Sequence, residues 1–179
     1  MNAATSVADS INTAAHSSEG GNSLLSLPNI MIAYGSETGT AEAAASSLAR
    51  NFKICRPVLR TLNDVSKLDR ESLQAFTHIA IICSTFGKGE PPKNAMNFFS
   101  VDLTGKLNKG AKFAVLALGS SLYPDYCKAG KDADNKMKDA GAVQISEITC
   151  ADSAHGDQAT IREWTNRIKK LILPDSLHA

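Results

Sequence analysis

Short apolar runs alternate along the chain with longer stretches in which apolar residues recur every three or four positions. "NIMIAY" (29–34), "HIAIIC" (78–83) and "KFAVLAL" (112–118) are almost uninterrupted, the pattern of strands buried on both faces. "KICRPVL" (53–59) is predicted as a strand held to an edge or a strand end by Pro57, which lacks the N–H a ladder needs, and "VQISEI" (143–148) supplies a fifth. Ala41, Ala44, Ala45, Leu48, Ala49 and Phe52 form one helical stripe. A weaker helical pattern covers 63–76, and others cover 92–101 and 127–140. Ile161, Trp164, Ile168, Leu171 and Ile172 mark a last amphipathic helix that Pro174 follows. Strands alternating with helices predict βαβ units, and hence a parallel five-stranded sheet with helices on both faces.

In such open sheets a ligand lies beyond the carboxyl ends of the strands, where strand order reverses. Three loops then matter: "GSETGTA" (35–41), "STFGKGEPPKNA" (84–95) and "GSSLYPDYC" (119–127). The first ends a strand and opens a helix, so free backbone N–H groups and the positive helix end converge where Ser36, Thr38 and Thr40 add hydroxyls. It has neither G-K-[ST] nor G-x-G-x-x-G and carries no Lys or Arg. This leaves a phosphate monoester bound by neutral donors, or a helix cap with surplus hydroxyls. Phe86 in the second loop and Tyr123 and Tyr126 in the third fit either core-capping aromatics or a sandwich around a planar ring. Taken with the first loop, at the same end of the same sheet, the sandwich is the better reading.

Composition narrows the classes. The chain has 179 residues, 43% of them hydrophobic, and a net charge of +1, which fits one globular domain and lacks the basic excess of a nucleic-acid binder. No run approaches a membrane span and the N-terminus lacks the pattern of a signal peptide, so a cytoplasmic protein is expected. Cys55, Cys83, Cys127 and Cys150 show no C-x-x-C spacing, and His16, His78, His155 and His178 form no ligand motif, so neither a disulfide framework nor a metal site is expected. Residues 1–27 hold no Lys or Arg and only Asp9 and Glu19 among small polar residues. They are predicted to be a disordered lead or linker. The domain is expected over 28–174, with 175–179 as a tail.

"GSETGTAE", "STFGKGEPPKNA" and "FAVLALGSSLYPDYCKAGKDAD", in this order, resemble the flavodoxin-like FMN domains of the diflavin reductases, over about Asn29 to Leu173. "STFG", "GEPP" and "LGSSLYPDYC" are most similar to the nitric oxide synthase and sulfite reductase branches; the microsomal cytochrome reductase is a third. The resemblance implies a flavodoxin-like three-layer sandwich with strand order 2-1-3-4-5. It implies that Ser36, Glu37, Thr38, Gly39, Thr40 and Ala41 wrap the FMN phosphate, with Ser84, Thr85, Phe86 and Gly87 along one side of the isoalloxazine. The other side falls to Leu118, Gly119, Ser120, Tyr123, Asp125, Tyr126 and Cys127, with Tyr123 stacked on the ring. Asp152 matches an acidic position after the fifth strand.

The implied function is a relay of single electrons from an FAD/NADPH reductase module, which lies outside this chain, to a haem or other acceptor. The alternatives are a free-standing flavodoxin and an interaction module on the same fold without redox activity. Lys88 departs from the family's acidic or neutral position, and all 19 Lys+Arg fall after residue 27, so the acidic docking face typical of donor domains is in question. Asp125, Glu90, Asp152 and Asp157 are candidates for a local acidic rim. No long insertion separates the second and third motifs and no basic amphipathic helix precedes the first, so calmodulin control is not expected.

Overall fold

The computed structural model describes residues 27–174 and Leu177. The lead expected over 1–27 lies outside the described residues except for Leu27, and the tail except for Leu177. Six parallel strand segments, β1 (Ile30–Gly35), β2 (Val58–Thr61), β3 (His78–Ser84), β4 (Lys112–Gly119), β5 (Val143–Gln144) and β6 (Thr149–Asp152), form one sheet in the order β2-β1-β3-β4-β5, with β6 also on β4. The helices are α1 (Thr40–Asn51), α2 (Leu62–Val65), α3 (Arg70–Gln74), α4 (Met96–Ser100), α5 (Lys128–Asp139) and α6 (Gln158–Ile172).

The uninterrupted apolar runs have their cause in the two covered faces. On β1, Met31 and Ala33 point to the layer of α2–α5 while Ile30 and Ile32 point to α1 and α6. On β3 and β4 the same alternation sends Ile79, Ile81, Phe113 and Val115 one way and Ala80, Ile82, Ala114 and Leu116 the other. Since successive side chains alternate across a sheet, a strand covered on both sides has no polar position left. Leu48 on α1, Phe52 just after it, and Trp164 and Ile168 on α6 are fully buried in the second of these cores, Leu48, Phe52 and Ile168 each contributing about 1.5–3 kcal/mol.

Three expected elements take a different form. The second strand begins at Val58, after a 3₁₀ turn over Lys53–Cys55, because Arg56 takes a left-handed φ of 49° and Pro57 offers no N–H. The helix expected over 63–76 is two short helices, each with its own cap: Thr61 accepts from the Asp64 N–H and Asp69 from the Ser72 N–H. The fifth strand is broken. Val143 and Gln144 pair with Lys112 and Phe113, but pairing resumes only at Thr149 opposite Leu116, so residues 145–148 oppose 114–115. This bulge on an edge strand brings Asp152 beside Gly119, at the carboxyl end of β4.

Candidate functional site: a cleft at the carboxyl ends of β1, β3 and β4

The first loop is a helix start whose polar groups are left over. Gly39 precedes α1 with φ 94°, and a Cβ there would meet nothing within 4 Å, so glycine is required by torsion and not by space. The Ser36 hydroxyl accepts from the Gly39 N–H at 3.0 Å, while the Asn94 side-chain oxygen accepts from the Ser36 N–H at 2.9 Å. Glu37 is turned outward, accepting from the Lys93 N–H at 3.1 Å, with the Lys93 ammonium 3.7 Å away. The second loop thus clamps the first. No side chain caps α1, and the N–H groups of Glu37, Thr38, Thr40 and Ala41 have no partner among the described residues. These groups and the helix's positive end converge on one point.

The second and third loops are tied to each other as well. The Thr85 N–H donates to the Leu118 carbonyl at 2.9 Å, and the Thr85 hydroxyl accepts from the Ala129 N–H at 3.2 Å. Phe86 and Glu90 close a tight loop through paired backbone bonds of 2.8 and 2.9 Å. In the third loop the Tyr123 N–H reaches the Ser120 carbonyl, and the Ser121 N–H donates to Asp152 at 3.0 Å. Ser121 first, with His155 and the Ala154 N–H, holds the Asp152 carboxyl well below the usual carboxylate range.

A cleft of ≈ 480 Å³ results. Ten of the expected site residues line it: Thr38 and Thr40 from the first loop, Ser84, Thr85, Phe86 and Gly87 from the second, and Leu118, Gly119, Ser120 and Tyr123 from the third. Phe86 is 52% exposed and Tyr123 63% exposed, so neither caps the core. Ser36, Glu37 and Gly39 stand in the first loop without lining the cleft, and Ala41 has only its N–H toward that loop because its methyl is fully buried. Asp125 packs over Gly89 and Tyr126 lies half-buried under the Lys131 ammonium, 5.4 Å from the ring centroid. Cys127 is buried beneath the third loop, and Asp152 supports that loop from β6.

Ser153 and Asp157 line the cleft too, in a fourth loop that follows β6 at the same sheet edge. The rule that selected the other three loops applies equally to "DSAHGD" (152–157), and this was the available signal. Asn94 is a further supporting residue, visible in sequence only as part of the second motif. No Lys or Arg lines the cleft. Among the described residues no group of three or more His, Cys, Asp or Glu is placed to hold a metal ion, and no helix is long and apolar enough to cross a membrane.

The class defined here is a parallel α/β sandwich in this strand order, with uncapped helix N–H groups and two exposed aromatics about one cleft at the carboxyl ends of its strands. Residues 32–164 match the family described as Flavodoxin, and the chain belongs to that family. It is similar to oxidised Flavodoxin 2 from Bacillus cereus, with a TM-score of 0.63 and 25% identity, covering 80% of this chain and 97% of that one. Among curated proteins it is 30% identical over 141 residues to the inducible nitric oxide synthase of Gallus gallus, covering 76% of this chain and 12% of that protein. It is 31% identical over 144 residues to the sulfite reductase [NADPH] flavoprotein alpha-component of Bacillus subtilis, covering 79% and 23%. With the NADPH-dependent diflavin oxidoreductase 1 of Xenopus laevis it shares 32% over 155 residues, covering 81% and 25%. The chain therefore spans an eighth to a quarter of the length of these curated relatives.

Proposed function

We propose that the protein binds FMN and serves as a one-electron carrier between an FAD/NADPH reductase module and a haem or other redox acceptor. The observation that carries this reading is the pairing of an uncapped α1 N-terminus with the exposed Phe86 and Tyr123 about one cleft whose lining holds no Lys or Arg. The N–H groups of Glu37, Thr38, Thr40 and Ala41 with the hydroxyls of Ser36, Thr38 and Thr40 suit a terminal phosphate, which helix ends and neutral donors hold by charge-assisted bonds. Ser84, Thr85, Phe86 and Gly87 fit one side of a flat ring, and Leu118, Gly119, Ser120 and Tyr123 the other, with Asp125, Tyr126, Cys127 and Asp152 behind them. The bound flavin supplies the redox chemistry; the loops bind it, orient it and limit water on its faces. Gly87, at φ 53°, can present its carbonyl or its N–H to the ring edge with little steric cost.

The test is the colour of the purified protein and its response to FMN. A yellow eluate that releases FMN on heating, or a colourless one that saturates with added FMN and is reduced by NADPH through a separate FAD module, is expected. A protein that stays colourless under excess FMN would instead be an interaction module on this fold.

A further inference from the structure

Cys150 and Cys127 come to one spot from different elements. Cys83 on β3 and Cys150 on β6 both pair in register with Ala117 on β4, and in-register neighbours present their side chains to the same face. Ala117 faces α5, because a Cβ on Gly130 would lie 2.3 Å from the Ala117 Cβ. Cys150 therefore faces α5 as well. Cys127 stands immediately before α5 with a left-handed φ of 59°, and its thiol reaches the Ala117 carbonyl at 3.5 Å. Both sulfurs thus flank the same residue of β4. Cys83 does not compete: it lies two strand spacings from Cys150, roughly 10 Å, beyond the ~7 Å Cα separation a disulfide tolerates.

We propose that Cys127 and Cys150 are a dithiol pair that closes to a disulfide by exchange with small disulfides of the glutathione type, tying the Tyr123 loop to β6. The two thiols have separate tasks. Cys150 is half-buried and reachable, and the adjacent Cys127 thiol, helped by the Lys131 ammonium, holds its pKa below the ordinary thiol value. Cys127 is fully buried and its own thiol is pushed up, first by Cys150. Burial raises the Cys83 thiol to about 12 and the Cys55 thiol to a lesser degree. An attacking thiolate must reach the small disulfide, and of the two sulfurs only that of Cys150 is open to solvent, so Cys150 is the first nucleophile and Cys127 the resolving one.

In the first step the Cys150 thiolate displaces one thiolate from the small disulfide and forms a mixed disulfide. In the second, Cys127 loses its proton to solvent and its sulfur displaces the remaining small thiolate from Cys150. Two protein thiols and one small disulfide become one protein disulfide and two small thiols; the pair gives up two electrons and the small disulfide takes them. The bond joins the end of the loop that carries Tyr123 to a point two residues before Asp152, which already holds the Ser121 N–H.

The reduced full chain is incubated with excess oxidised glutathione at pH 7.5, its free thiols alkylated, and the product digested with trypsin without reduction. Loss of two of the four thiols and a linked pair of peptides, 113–128 with 139–162, are expected. The Cys127→Ser variant is expected to stop at a stable glutathione adduct on Cys150, and Cys150→Ser to form neither adduct nor link. Amide exchange across 119–127 is expected to slow at least threefold in the oxidised chain. A persistent adduct on wild-type Cys150, a link to Cys55 or Cys83, or the absence of any reaction overturns the proposal, and the wild-type digest decides this without any variant.

Discussion

Gly87 has φ 53°, and a Cβ there would lie 2.5 Å from a Glu90 carboxylate oxygen, the same oxygen that accepts from the Lys88 N–H. Gly87→Ala therefore adds left-handed strain of about 1 kcal/mol and pushes on the contact that closes the loop. FMN affinity is expected to hold within about threefold while the midpoint potential moves by tens of millivolts, a tenfold change in a one-electron couple being ~59 mV; an unchanged potentiometric titration refutes this. Tyr123, 63% exposed, contributes little to folding. Tyr123→Ala is expected to leave the melting temperature unchanged and to weaken FMN binding about 5- to 150-fold, the loss of one stacked face at roughly 1–3 kcal/mol, read by flavin fluorescence titration. Phe86 and Tyr123 were legible because each stands in a loop that follows an uninterrupted apolar strand, Phe86 directly before Gly87 and Tyr123 four residues after Gly119. Asn94 was not, since its use depends on the second loop folding back over the first and placing the amide oxygen on the Ser36 N–H.

Between elements, α5 lies against β4 at Gly130 with no room for a side chain. In a free helix Gly→Ala is favourable by about 1 kcal/mol, yet Gly130→Ala puts a Cβ 2.3 Å from the Ala117 Cβ and 2.7 Å from its Cα, atoms that no rotamer change can move. The expected outcome is a loss of about 1–3 kcal/mol in urea unfolding, opposite in sign to helix propensity. The bulge between β5 and β6 has a different consequence, because it sets Asp152 where it can hold the third loop. Its carboxyl is depressed in the folded chain, so its stabilisation is fully present above the unfolded value near 3.9 and is lost as pH falls through the lower folded value. Asp152→Asn is expected to lower stability at pH 7, with the gap to wild type closing progressively below about pH 4 in acid titrations followed by circular dichroism. The central strands were readable from composition alone because both their faces are covered. Edge strands β2 and β5 lack that constraint, and their limits came from Arg56 and Pro57 and from the bulge, which an apolar pattern does not encode.

At the scale of the molecule, β1 sets out from the sheet edge remote from the cleft, where the Thr77 and His78 N–H groups meet the Asn29 carbonyl. The last helix begins beside the cleft at Asp157 and runs its 15 residues back along the sheet, roughly 22 Å at 1.5 Å per residue. Ile172 and Leu173 accordingly rejoin the core that contains Ile30. Both ends of the folded unit lie at its base, and the cleft opens at its crown. A folded tag joined at either end is expected to leave the FMN dissociation constant unchanged within twofold, whereas the same tag inserted in the third loop abolishes binding. For any module tethered through those ends the geometry is that of a lamp on a stalk: the lit face points away from its mount.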